Sequence, residues 1–169
     1  MLDNLITSKT RLRLLVKFFL NAATEGYLRG LAEELDENTN AIRKELNHLS
    51  DAGFINRHVE GNKITYKANK LHPFFSILQQ LIRKYVGLDA IIENIVGKTG
   101  DIEKVYLLGD YARGVDSGHI EVLVQGSSLN DAYLKQLSTK VAHLIQKRVS
   151  VYTGGEWKDE LVLIYEHRK

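Results

Sequence analysis

Ala41-Ile-Arg-Lys-Glu-Leu-Asn-His-Leu-Ser-Asp-Ala-Gly-Phe-Ile55 is the stretch on which the reading of this chain turns. Ile42, Leu46 and Leu49 recur at i, i+4 and i+7, which makes one buried stripe on a helix over residues 39–51. Gly53 stands where a helix C-cap glycine belongs. The residues off the stripe, Asn38, Thr39, Asn40, Arg43, Lys44 and Asn47, are polar or basic. Working outward, residues 55–59 and 64–68 are β-prone and joined by Gly61-Asn62, the pattern of a hairpin. Upstream, Ser8 or Thr10 caps a helix running to about residue 21, with Leu12, Leu15, Val16, Phe19 and Leu20 on one face. A shorter helix over 27–35 follows, and Asp36-Glu37-Asn38 forms the turn before the central helix. The order helix, helix, turn, helix, hairpin describes a helix-turn-helix with a β-wing, whose third helix reads the DNA groove.

Charge placement agrees with that order better than the total does. The 169 residues hold 23 Lys+Arg against 21 Asp+Glu, a formal net charge of +2, which by itself does not mark a nucleic-acid binder. Counted by segment, residues 1–24 carry four basic residues against one acidic, residues 25–37 one against five, and residues 38–70 six against three. The basic excess of the last segment falls on the reading helix and the wing, where phosphate contacts are made. Arg and Asn are the side chains best matched to guanine and adenine edges. The DNA-contacting set read from the sequence is Asn38, Thr39, Asn40, Arg43, Lys44, Asn47, Arg57, Lys63 and Lys67. His48 and His58 are taken as polar surface residues. With no cysteine in the chain, disulfides, thiolate metal sites and cysteine nucleophiles are excluded. No signal peptide and no membrane-length apolar run is visible, so a soluble, cytoplasmic protein is expected.

Residues 8–70 resemble the ArsR-like winged-helix repressors in the order and length of the 41–55 segment and of the wing ending in Tyr66-Lys-Ala. The resemblance implies operator binding as a homodimer. Many such repressors sense metals through cysteine, and that property does not carry over to a chain without any.

From Pro73 to Val96 apolar residues recur at helical spacing. Pro73 suits a first-turn position, and Gly87 is expected to split the segment into two helices. The apolar stripe is wider than one small domain needs, so Phe74, Phe75 and Leu78 are expected to face a partner copy. Beyond it the pattern becomes strand, turn with a short helix, strand, long helix, strand, strand. Leu107-Leu-Gly-Asp-Tyr-Ala-Arg-Gly114 followed by His119-Ile-Glu-Val-Leu-Val124 looks like the minimal nucleotidyltransferase signature, over about residues 88–169. In that family a Gly-Ser turn holds the triphosphate and an Asp-x-Asp strand binds magnesium, with a third carboxylate from the following strand.

This chain departs from the pattern at the chemistry. Asp110 replaces the serine, His119 and Glu121 replace the two aspartates, and Ser150 stands where the third carboxylate belongs. Magnesium takes hard oxygen ligands, and one glutamate beside one imidazole makes a poor site. A carboxylate about 4 Å from a phosphate charge costs roughly 4 kcal/mol at an effective dielectric of 20, or about a thousandfold in affinity. Arg113 is either a phosphate clamp or an ion-pair partner of Asp110. A zinc site at His119 and Glu121 with His143 or His167 lacks metal-ligand spacing.

The expected architecture is therefore α+β. A winged helix-turn-helix occupies 1–70, linker and dimerisation helices 71–97, and a nucleotidyltransferase-like domain with a mixed sheet 98–169. In the last, Gly109, Asp110, Arg113, His119 and Glu121 are vestigial positions. The expected function is DNA-binding transcriptional regulation by a homodimer on double-stranded DNA. No catalysis, cofactor, metal or membrane is involved, and the second domain serves dimerisation or the sensing of a small effector. The alternatives are an active Mg-NTP nucleotidyltransferase and a toxin–antitoxin-like interaction module.

Overall fold

The computed structural model describes residues 2–158 and 160–167. The fold is α+β, in two compact units, Met1–Ile82 and Arg83–Lys169. The division falls inside the segment 71–97.

In the first unit, α1 (Leu2–Leu5) precedes α2 (Lys9–Leu20), and Ser8 rather than Thr10 is the cap: its hydroxyl accepts from the Arg11 N–H at 3.2 Å. β1 (Glu25–Tyr27), α3 (Leu28–Glu34) and α4 (Thr39–Asp51) follow. Leu14, Phe18 and Phe19 of α2 are fully buried, as are Ile42 and Leu46 of α4 and Leu31 of α3. These side chains make the core onto which α4 is laid. α4 ends in a Schellman arrangement: the Gly53 N–H donates to the Ser50 carbonyl and the Phe54 N–H to the Leu49 carbonyl, both at 2.9 Å. Gly53, at φ +76°, supplies the left-handed residue this requires.

β2 (Ile55–Glu60) and β3 (Lys63–Ala68) form the expected hairpin, and β1 adds antiparallel to β3, giving the order β1-β3-β2. β1 is not visible in the sequence. Three residues are too few to display a period of two, and what fixes the strand is its pairing with residues 65–67. α5 (Phe75–Val86) begins later than Pro73 would suggest. The Phe74 N–H donates to His72 Nδ1 at 3.1 Å and the Phe75 N–H to the His72 carbonyl at 2.9 Å. Pro73 therefore sits in a turn ahead of the helix, not in its first turn.

The second unit contains α6 (Leu88–Ile95), β4 (Asp101–Leu108), α7 (Gly109–Ala112), β5 (His119–Ser127), α8 (Asp131–Ile145), β6 (Arg148–Tyr152) and β7 (Val162–Glu166). Gly87 does separate two helices; at φ +96° it is left-handed, and a Cβ there would stand 2.9 Å from Ile145 Cγ2. The sheet order is β6-β5-β4-β7, with β5 and β6 parallel and the other pairs antiparallel, the mixed sheet the sequence suggested. Ile120, Val122 and Val124 point to one face of β5 and are fully buried, within a core that also takes in Leu88, Ile91 and Ile95 of α6 and Leu134, Leu137 and Val141 of α8. A register shift between Val105 and Tyr106 leaves Ile164 as the extra residue on β7. The Ile164 carbonyl accepts instead from the Arg83 guanidinium at 2.6 Å.

Candidate functional site

α4 presents the polar face anticipated from its sequence. Asn38, Thr39, Asn40, Arg43, Lys44 and Asn47 are all exposed, opposite the stripe of Ile42, Leu46 and Leu49. Their local roles differ. Asn38 is the N-cap, its side-chain oxygen accepting from the Asn40 N–H at 2.7 Å, so its amide is committed to starting the helix. The Arg43 guanidinium donates to Asn40 Oδ1 at 3.4 Å, which aligns the two along the helix. Arg57 on β2 and Lys63 at the start of β3 are exposed. Lys67 differs: it is half-buried and pairs with Glu25 of β1 at 2.9 Å. Arg29, which the sequence reading passed over, lines a cleft of about 730 Å³ together with Lys63, Tyr27 and Thr65. Nothing in the acidic segment around it set Arg29 apart.

The segment charges acquire a different meaning once the fold brings them together. Arg11 of α2 donates to Glu45 Oε2 at 2.7 Å, Arg13 to Glu37 Oε1 at 2.9 Å, and Lys17 to Glu34 Oε1 at 2.6 Å. Two of the four basic residues of 9–17 are thus neutralised by the acidic block 25–37 and a third by Glu45 of α4, which leaves Lys9 as the one α2 cation with no ion pair among the described residues. Arg43, Lys44, Arg57 and Lys63 form no ion pair among the described residues. The positive charge left over is concentrated on α4 and the hairpin.

Glu45 is the buried member of this pairing. It also accepts from the Ser8 hydroxyl at 2.8 Å, and His48 Nδ1 lies 3.8 Å away. Burial alone would raise its carboxyl pKa, but the bonds from Ser8 and Arg11 and the neighbouring positive charge outweigh this and hold it below the ordinary glutamate value. His48 is thereby part of a network joining α2 to α4 and more than a bystander on the surface, its Nδ1 also 3.3 Å from the Arg11 guanidinium.

In the second unit α7 carries Gly109, Asp110 and Tyr111. Asp110 and Arg113 form an ion pair, one of the two arrangements the sequence offered for Arg113. His119 and Glu121 share one face of β5, both half-buried, and each is already engaged. His119 Nε2 lies 2.8 Å from Ser150 Oγ, and the Tyr152 hydroxyl donates to Glu121 Oε1 at 3.1 Å. The Trp157 ring stands edge-on to Tyr152, with centroids 4.8 Å apart. A Cβ on Gly109 would collide with Glu121 Oε2, so that carboxylate lies directly against the turn. Among the described residues no three His, Asp or Glu side chains are placed to share a metal ion. His167 lies just beyond β7, its N–H on the Glu103 carbonyl, while His143 lines a cleft with His119.

One cluster escaped the sequence reading. Tyr111, fully buried, donates its hydroxyl to Asp116. Lys147 Nζ donates to both Asp116 oxygens and to the Tyr111 oxygen, each at 2.9 Å. Burial first, then the Asp116 bond, pushes the Tyr111 hydroxyl far above its usual pKa, so it stays a donor. The three residues come from a helix, a loop and a helix end, and no spacing signals their meeting. Tyr111→Phe is expected to destabilise the second unit by about 1–2 kcal/mol, read by chemical denaturation, since Asp116 loses one charge-assisted donor.

No protein-family model, no curated protein and no solved structure matches this chain. Among the described residues no helix is long and apolar enough to cross a membrane.

Proposed function

We propose that this chain is a dimeric DNA-binding transcriptional regulator. In this reading the first unit is an ArsR-like winged helix and the second a catalytically degenerate nucleotidyltransferase-like domain serving dimerisation or effector sensing. The observation that carries the reading is the distribution of charge in the first unit. Arg11, Arg13 and Lys17 of α2 are paired internally, while Arg43, Lys44, Arg57 and Lys63 remain on a helix and hairpin of the kind that enter a groove. α4, at 13 residues, is about 20 Å long, enough to lay Asn40, Arg43 and Asn47 along a major groove about 12 Å wide.

Absence of catalysis is supported by the donor set. His119 and Glu121, facing Ser150 and Tyr152, do not fit the magnesium of a nucleotidyltransferase, and Asp110 places negative charge where a phosphate would sit. The experiment is binding to short inverted-repeat duplexes: a specific, salt-sensitive complex is expected. Binding of Mg-ATP with turnover would instead return the chain to the enzymes.

Dimerisation draws on the start of α5. Phe74, Ile77 and Leu81 are exposed at helical spacing, and Leu71 precedes them at 93% exposure. Phe75, by contrast, turns inward, its ring 5.7 Å from that of Phe19, and Leu78 is half-buried. The partner-facing set is thus Phe74, Ile77 and Leu81. Light scattering at micromolar concentration is expected to give a dimer, and Ile77→Glu to give a monomer. A wild-type monomer would remove this element of the reading.

A further inference from the structure

The second unit contains a cleft of about 720 Å³ between the C-terminal half of α8 and the first residues of β5 and β6. Its lining includes His119, His143, Lys147, Arg148 and Ser150, and among the described residues none that lines it is acidic. Gly109, Asp110 and Glu121 do not line it, whereas His119 and Ser150, two of the positions compared with the nucleotidyltransferase carboxylates, do. We infer that this cleft binds a small ligand bearing a phosphate group.

Three features support a phosphate over a neutral or cationic ligand. The polar side chains of the cleft that are free to donate, or can become so, are the Arg148 guanidinium, two imidazoles, the hydroxyls of Thr139 and Ser150 and the Gln146 amide. Lys147 is neutralised by Asp116, which does not line the cleft, while Arg148 forms no ion pair among the described residues and is left as the charge that faces a ligand. The His119–Ser150 contact supplies a positioned donor: when His119 Nε2–H donates to Ser150 Oγ, the serine proton is left to donate onward. Register sets the pair, because β5 and β6 run parallel with His119 opposite Arg148 and Glu121 opposite Ser150, so all four share a face. Arg148 adds a planar fork that matches a phosphate with two donors.

This inference rests on the reading of the second unit as a sensing domain. It is tested without DNA, so its failure and that of operator binding are told apart. The full chain is titrated with inorganic phosphate at constant ionic strength against chloride, following the histidine ring resonances by NMR. Saturable shifts of His119 and His143 are expected. Arg148→Ala and His143→Ala, both at exposed positions, are each expected to weaken phosphate about tenfold or more. Lys135→Ala, exposed on α8 but outside the cleft, should change nothing. Equal shifts with chloride, no saturation, or equal weakening by Lys135→Ala would overturn the inference.

Discussion

Glu45→Ala is expected to lower the stability of the first unit by about 2 kcal/mol, moving its melting transition down by roughly 10 °C or more. The substitution removes the acceptor of Ser8 and Arg11 together and opens a void beside the core stripe of α4. Breaking a buried pair can cost 3–5 kcal/mol, but the Arg11 side chain is 39% exposed and recovers water, so the lower figure applies. The same carboxylate makes stability depend on pH. Its pKa is depressed in the folded state, so its contribution is complete above the ordinary glutamate value near 4.3. It is lost as pH falls through the lower, folded-state value. Denaturation of wild type and Glu45→Gln across this range should give curves that converge in acid and separate above about pH 5. Curves that stay parallel would mean that the Glu45 carboxyl titrates alike in the folded and unfolded chain.

The second large effect concerns DNA under the proposed function. A dimer presenting Arg43, Lys44, Arg57 and Lys63 from each chain falls among proteins making 6–10 phosphate contacts. For these, affinity drops by roughly 10³–10⁵ between 50 and 200 mM salt. Fluorescence anisotropy with a labelled inverted-repeat duplex reads this directly, and an affinity indifferent to salt would refute the interface. Arg43 and Lys63 should behave differently within it. Arg43→Ala is expected to cost about 1–3 kcal/mol and to relax specificity at one base pair. Lys63→Ala should weaken all sequences alike and flatten the salt dependence.

What was legible from the residues follows what is local. α4 was readable to the residue because Ile42, Leu46 and Leu49 keep a strict period and Gly53 stops it. The hairpin was readable because Gly61-Asn62 separates two β-prone runs, and α8 because its apolar positions recur. β1 was not, for its existence depends on a partner 40 residues away. The internal pairing of charge was equally hidden: Arg11 and Glu45 stand 34 residues apart, and only the packing of α2 on α4 brings them together. At the second unit the Asp110–Arg113 pair, one helical turn apart, could be foreseen as an option, whereas the hold of Tyr152 on Glu121 could not, because it requires knowing which strand lies beside β5. The contact of Phe75 with Phe19 was equally out of reach, because hydrophobicity records that a residue seeks cover, not which cover it finds.

The bond from Arg83 to Ile164 bears on how these molecules behave when crowded. β7 is the outermost strand of its sheet, with Leu163 exposed on it and Leu161 exposed just ahead of it. A strand of that kind is a template on which another chain can add, strand upon strand. The misregister at Ile164 interrupts the even spacing such addition needs, and the guanidinium occupies a carbonyl at the break. A single arginine from the last turn of α5 thereby takes up a carbonyl that an added strand would need.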